Sequence, residues 1–180
     1  CNTLTAAKDV DGISLASLAA VFTDAPDGFP PCTAAACVAI LEHYKVPIVG
    51  KHVVVIGRSL VVGKPVSMML LRRNASVTIC HSRTENLQEI SRSADIVICA
   101  TGRARAYGRE YFRPGQTVLD VGINFDVHGK LCGDVDFDEV EPIVDAITPV
   151  PGGVGTVTTS MTMQHTVAAA EAQLKESLKG

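Results

Sequence analysis

Two glycines, an arginine and a serine stand together in Gly57-Arg58-Ser59-Leu60-Val61-Val62-Gly63-Lys64-Pro65, directly after the apolar run Val53-Val54-Val55-Ile56. A glycine where a strand ends lets the backbone turn tightly, and one where a helix starts lets free amides approach a pyrophosphate. The usual dinucleotide fingerprint is G-x-G-x-x-G. Here Ser59 replaces the middle glycine and the last glycine comes one residue late, a pattern that also suits a plain strand-to-helix turn. NAD sites usually carry an acid about 20 residues further on, where it binds the ribose hydroxyls. The next apolar run ends instead in Cys80-His81-Ser82-Arg83. Arg58, Ser82 and Arg83 are residues that hold a 2′-phosphate through charge-assisted hydrogen bonds, so NADP is expected rather than NAD. His81 reads equally well as a cofactor contact or as a surface residue.

Two later apolar runs end in Ala100-Thr101-Gly102 and in Asp120-Val121-Gly122-Ile123-Asn124. The carboxyl ends of parallel strands line a ligand crevice, and glycines there permit close approach to a nicotinamide ribose or ring. Turn glycines after strands are also common in ordinary folds. The six cysteines, Cys1, Cys32, Cys37, Cys80, Cys99 and Cys132, form no C-x-x-C pair and no zinc-finger spacing with histidine. No metal site is expected, and the cysteines read as reduced thiols of a cytoplasmic protein.

The elements that would position these residues follow from the apolar runs. Residues 53–56, 77–80, 96–99 and 117–121 are short, continuous and β-branched, as suits strands buried on both faces of a parallel sheet. Between the first two, Val62, Val66, Met69 and Leu70 recur at helical spacing. Between the second and third, Leu87, Ile90 and Ala94 do the same. Strands alternating with helices give an α/β fold with a doubly wound parallel sheet. Thr33 is a plausible N-cap for a helix over 34–44 with Val38 and Leu41 facing inward. Residues 24–31 are turn-rich. Met163, Val167, Ala170, Leu174 and Leu178 mark a C-terminal amphipathic helix whose stripe reads as core or interface packing.

The chain has 180 residues, 47% of them hydrophobic and 19% charged, with a formal charge of −3. That apolar share excludes a disordered tail or a collagen-like fibre. The mild acidity argues against a nucleic-acid partner, which calls for a basic face. No apolar run approaches the roughly 20 residues of a membrane span. A first residue of Cys rather than Met suits a partial chain or, alternatively, a lipid-anchored product.

Three further segments are hard to explain as packing: Lys8-Asp9-Val10-Asp11-Gly12, Pro31-Cys32-Thr33, and Thr148-Pro149-Val150-Pro151-Gly152-Gly153-Val154-Gly155. Taken alone, the Asp11-Gly12 pair is simply a turn signal. Together with the 57–65 loop and Gly122-Ile123-Asn124, these segments resemble the bifunctional methylenetetrahydrofolate dehydrogenase/methenyltetrahydrofolate cyclohydrolase family, in family order from about residue 8 to 170. The resemblance implies a Rossmann-like cofactor domain facing a substrate domain across a cleft. It also implies NADP as cofactor, a tetrahydrofolate substrate, no membrane partner and a homodimer. The implied chemistry is oxidation of 5,10-methylenetetrahydrofolate to the methenyl cation, then hydrolysis to 10-formyltetrahydrofolate, a step of one-carbon metabolism feeding purine biosynthesis.

Carried over by position, the resemblance implies that Asp11, as a buried carboxylate, bonds the pterin, with Gly153, Gly155 and Thr159 also at the substrate. Gly57, Arg58, Ser59, Gly63, His81, Ser82, Arg83, Thr101, Gly102, Gly122, Ile123 and Thr158 would serve the cofactor, with Ile123 beside the nicotinamide. The implied layout is a substrate-domain remnant and linker over 1–31, an NADP-binding domain over 32–155, and over 156–180 a C-terminal helix that packs back toward the substrate domain. Two departures stand out. Thr156-Val157-Thr158-Thr159 replaces the family's Pro-Met-Thr and small aliphatic residue, which implies a looser loop at Thr156 and a polar residue facing the folate at Thr159. The family's Tyr-x-x-x-Lys pair does not occur in these 180 residues, so no catalytic residue is assigned and cofactor binding is expected to outlast catalysis. The alternatives are another NADP enzyme of shikimate-dehydrogenase-like layout and a non-catalytic NADP-binding module.

Overall fold

The computed structural model describes residues 4–26 and 28–178. Cys1 and Asp27 lie outside them. The β-branched runs become parallel strands: β1 (His52–Ile56), β2 (Ser76–Cys80), β3 (Ile96–Cys99) and β4 (Thr117–Asp120). A fifth, two-residue strand, β7 (Ala146–Ile147), joins the far edge, and the order is β2-β1-β3-β4-β7 with every neighbouring pair parallel. Between β4 and β7 a small antiparallel hairpin forms from β5 (Asn124–Phe125) and β6 (Leu131–Cys132).

The two-residue period of a strand sends alternate side chains to opposite faces, and both faces are covered. Val53, Val55, Ile98 and Leu119 pack with α2 (Cys32–His43), α3 (Gly63–Leu71) and α6 (Val154–Ser177). Val54, Ile56, Val97, Cys99 and Val118 pack with α4 (Leu87–Ser93) and α5 (Phe137–Val140). The sheet order reverses direction at β1/β3, so the carboxyl ends of those two strands flank the switch point where such sheets bind ligands.

Several expectations need correction. The β2 strand is an edge, with Ser76 and Ile79 exposed, and is not buried on both faces. The α2 helix starts at Cys32 behind Pro31, whose carbonyl accepts from the Ala35 amide at 2.9 Å. Because the helix already begins at Cys32, Thr33 is not the cap and lies inside the first turn. Val38 and Leu41 do face inward. The α1 helix (Leu15–Thr23), N-capped by Ser14, has no counterpart in the sequence reading of residues 1–31. Most telling is α6. It starts at Val154, and the stripe Met163, Val167, Ala170, Leu174 and Leu178 is exposed, so it is no part of this chain's core and stands open to the interface packing also expected of it. The face turned inward carries Val154, Val157, Met161, His165 and Ala169. Because Thr156 is already helical and its amide donates to the Gly153 carbonyl at 3.1 Å, the loop is not looser there.

Candidate functional site

The switch point is built around two glycines. Gly57 ends β1 at φ +133°, and a side chain there would run into the Ala100 carbonyl at the end of β3. A Cβ on Gly63, the first residue of α3, would meet the Gly57 carbonyl. The helix start therefore rests directly on the strand end, with no room for a side chain at either glycine. Ser59 Oγ accepts from the Val62 amide at 3.1 Å and the Gly63 amide at 3.4 Å. Its hydroxyl caps the helix and keeps its own O–H to donate.

Arg58, Ser82 and Arg83 are exposed beside the ends of β1 and β2. His81 is half-buried and braces the turn after β2. Its amide donates to Thr84 Oγ1 at 2.9 Å, and its Nδ1 accepts from the Arg83 amide at 3.2 Å. That bond leaves Nδ1 unprotonated in the neutral ring, so the proton sits on Nε2.

After β3, the Thr101 and Gly102 amides are already engaged, both donating to Asp134 Oδ2, at 2.5 and 3.1 Å. After β4, Gly122 is buried against Asp134 and leaves no room for a Cβ, whereas Ile123 is 68% exposed. A cavity of about 500 Å³ brings Gly122 and Ile123 together with Gly153, Gly155 and Thr159, roofed by Pro151 at a cis Val150–Pro151 peptide. Thr158 is not among its lining residues. Its hydroxyl turns back along α6 and donates to the Val154 carbonyl at 3.0 Å.

The Asp11 expectation changes in one respect. Asp11 is exposed, and the buried carboxylate of that segment is Asp9, 1% accessible. Asp9 accepts from the Ile13 amide at 3.1 Å, the Ser14 amide at 2.7 Å and the Ser17 hydroxyl at 2.7 Å. Burial pushes its carboxyl up, but bonds from Ser14, Ser17 and Ile13 together outweigh it and hold the group below its ordinary value. The turn is left-handed at Gly12, φ +68°, and abuts the backbone of Phe29, Pro30 and Pro31. Segments 8–12 and 31–33 thus meet in space. Val10 O accepts from Cys32 Sγ at 3.2 Å and from His165 Nδ1 on α6 at 2.8 Å, while Phe29 stacks on the His165 ring.

Two acids and a histidine were not assigned roles from sequence. Asp120 is 3% exposed and accepts from the amides of Gly122, Asp134 and Val135 at 2.9–3.0 Å. Burial lifts its carboxyl to about 6 despite those three bonds. Asp134 is fully buried. The sequence signal for it is a lone acid in the otherwise apolar stretch Leu131-Cys132-Gly133-Asp134-Val135; His165 has none. Cys32, Cys37, Cys80, Cys99 and Cys132 are buried free thiols, with Cys37 pushed by burial up to about 12. Among the described residues no three His, Cys, Asp or Glu side chains are grouped to hold a metal, and no helix is long and apolar enough to cross a membrane.

Residues 31–174 match the model of the tetrahydrofolate dehydrogenase/cyclohydrolase NAD(P)-binding domain. The chain belongs to that family. It is 60% identical over 166 residues to the bifunctional protein FolD of Carboxydothermus hydrogenoformans, covering 91% of this chain and 58% of that relative. The crystal structure of the FolD dehydrogenase/cyclohydrolase of Campylobacter jejuni superposes with a TM-score of 0.92 at 38% identity, over 96% of this chain and 61% of that one. The Trypanosoma brucei FolD, complexed with NADP cofactor and inhibitor, gives 0.88 at 36% identity, over 95% and 61%. This family member therefore spans about three-fifths of the length of the relatives it matches.

Proposed function

We propose that this chain is the cofactor-binding part of an enzyme that oxidises 5,10-methylenetetrahydrofolate to 5,10-methenyltetrahydrofolate with NADP and hydrolyses the product to 10-formyltetrahydrofolate. The observation that carries the reading is the cavity in which Gly122 and Ile123, at the end of β4, face Gly153 and Gly155 at the start of α6. One wall lies at the crevice where a nicotinamide belongs, and the other carries Gly153 and Gly155, which the resemblance assigns to the substrate.

The residues present fit a dinucleotide. The backbone at Gly57 and Gly63 is packed too tightly for side chains. The Ser59 O–H is free to donate to a phosphate, and exposed Arg58 and Arg83 flank the end of β2, where the residues directly after the strand, His81-Ser82-Arg83, include no acid. When bound, NADP supplies the hydride acceptor. The chain's own part is to bind and orient. Ile123 presents an apolar face to the ring, the 150–153 turn ahead of α6 screens it from water, and exposed Asp11 offers two acceptor oxygens to a pterin edge. Thr159 places a hydroxyl on the folate side of the cavity.

The same reading includes residues 1–31 as substrate-domain remnant and linker, 32–155 as NADP domain and 156–180 as a C-terminal helix packing back toward the substrate domain, in a cytoplasmic homodimer that serves purine biosynthesis. A shikimate-dehydrogenase-like layout leaves the 8–12 and 148–155 segments without a purpose. The test is the absorbance change with 5,10-methylenetetrahydrofolate and NADP, measured on this chain and on one extended at its N-terminus. We expect turnover in the longer protein and little in these 180 residues, which lack a Tyr-x-x-x-Lys pair. Turnover in neither would sink the folate reading, and full turnover in the shorter would refute the missing-lysine argument.

A further inference from the structure

The side chain that accepts most hydrogen bonds at this site belongs to none of the expected ligands. Asp134 is completely inaccessible to solvent. Its Oδ2 accepts from the Thr101 amide at 2.5 Å, the Thr101 hydroxyl at 2.9 Å and the Gly102 amide at 3.1 Å. Its Oδ1 accepts from the Arg103 amide and from Asn124 Nδ2, both at 2.9 Å. Three successive amides around a glycine at φ +67° make a concave anion nest. The protein fills that nest with its own carboxylate, so these amides are not available to a cofactor phosphate. The pyrophosphate is left to the 57–63 loop.

The same carboxylate ties together the two strand ends that face the second half of a dinucleotide. Residues 101–103 follow β3, and Asn124 follows β4. Asp134 is anchored in turn, because its amide and that of Val135 donate to Asp120, which also holds the Gly122 amide. Gly122 has no Cβ because Asp134 occupies that space. Two carboxylates in series therefore fix where Thr101, Gly102, Gly122 and Ile123 stand relative to one another. Small displacements in such a floor matter, since hydride transfer depends on sub-ångström alignment.

We propose that Asp134 is a positioning residue that sets the surface on which the nicotinamide half of NADP seats, acting through residues 101–103 and Asn124. This rests on the NADP reading above. The adenosine half would be held by Arg58 and Ser82, at the ends of β1 and β2, and would make no use of Asp134.

That division supplies the test. Binding of NADP and of 2′,5′-ADP, a fragment without the nicotinamide half, is titrated into the wild type and Asp134→Asn. An amide in place of the carboxylate turns N–H groups toward at least one row of donors. The expected result is about tenfold weaker NADP binding with the fragment changed less than about twofold. Equal losses for both ligands mean a merely structural residue, and no loss for either means no role. Both overturn the proposal. Should Asp134→Asn fail to fold, Asn124→Ala removes one bond and leaves the nest filled. It is expected to weaken NADP about threefold and spare the fragment, and an unchanged ratio overturns the proposal. A wild type that binds neither ligand would remove the NADP reading itself and this inference with it.

Discussion

Replacing Asp120 with Asn isolates the energetics of a buried carboxylate at the end of β4. In the folded chain this group is lifted from 3.8 to about 6, mainly because burial penalises its charge. A carboxyl whose folded value lies above its unfolded value binds its proton more tightly when folded. Its contribution is therefore present at low pH and is lost as pH rises through the window from about 4 to 6. The full difference corresponds to roughly 3 kcal/mol. Between about pH 4.5 and 7.5 the part accessible to measurement is about 2 kcal/mol, because the unfolded carboxyl is already largely ionised at the lower limit. Asp9 acts in the opposite direction, but its lowered value puts that effect below 3.8, outside this range. Urea unfolding across the range should show the wild-type midpoint falling by about 1 M as pH rises. Asp120→Asn should flatten that fall, with neutral-pH stability within about 2 kcal/mol of wild type, because removal of the buried charge offsets one lost amide bond. A variant that keeps the wild-type slope, or a wild type that gains stability over this range, would refute the reasoning.

Three further outcomes follow from named contacts. Gly63→Ala drives a Cβ into the Gly57 carbonyl and should lower stability by about 1–3 kcal/mol, read by denaturation, and weaken NADP more than tenfold in titration. Arg58→Ala should weaken NADP about tenfold and NAD less than threefold, and equal losses would remove the 2′-phosphate argument. Asp9→Asn leaves at least one of the Ile13, Ser14 and Ser17 donors unpaired and should cost about 1–3 kcal/mol at neutral pH in urea unfolding.

The four long strands were legible because β-branched and other apolar residues cluster there in short runs, whatever the tertiary context. That β2 would be an edge was not, since strand order depends on partners distant in sequence. The two-residue β7 carries too little pattern to read. In α6 the more hydrophobic stripe is the exposed one. The buried face passes through Ala169 and through His165, which is turned to Val10, Cys32 and Phe29, and this small and polar pair gives no amphipathic signal. The tight strand-to-helix turn at 57–63 was readable from its two glycines, each forced by a backbone contact. Asp120 and Asp134 were not, because they act on amides up to 33 residues away that no local spacing encodes. That Asp9 and not Asp11 is the buried acid was not legible, because Asp9 is held by donors on Ile13, Ser14 and Ser17, beyond the turn.

Direct titration of the chain with NADP and NAD at fixed ionic strength tests the central claim. One-to-one binding with NADP at least about tenfold tighter than NAD is the predicted result. Equal affinity for the two, or no binding of either, would contradict it.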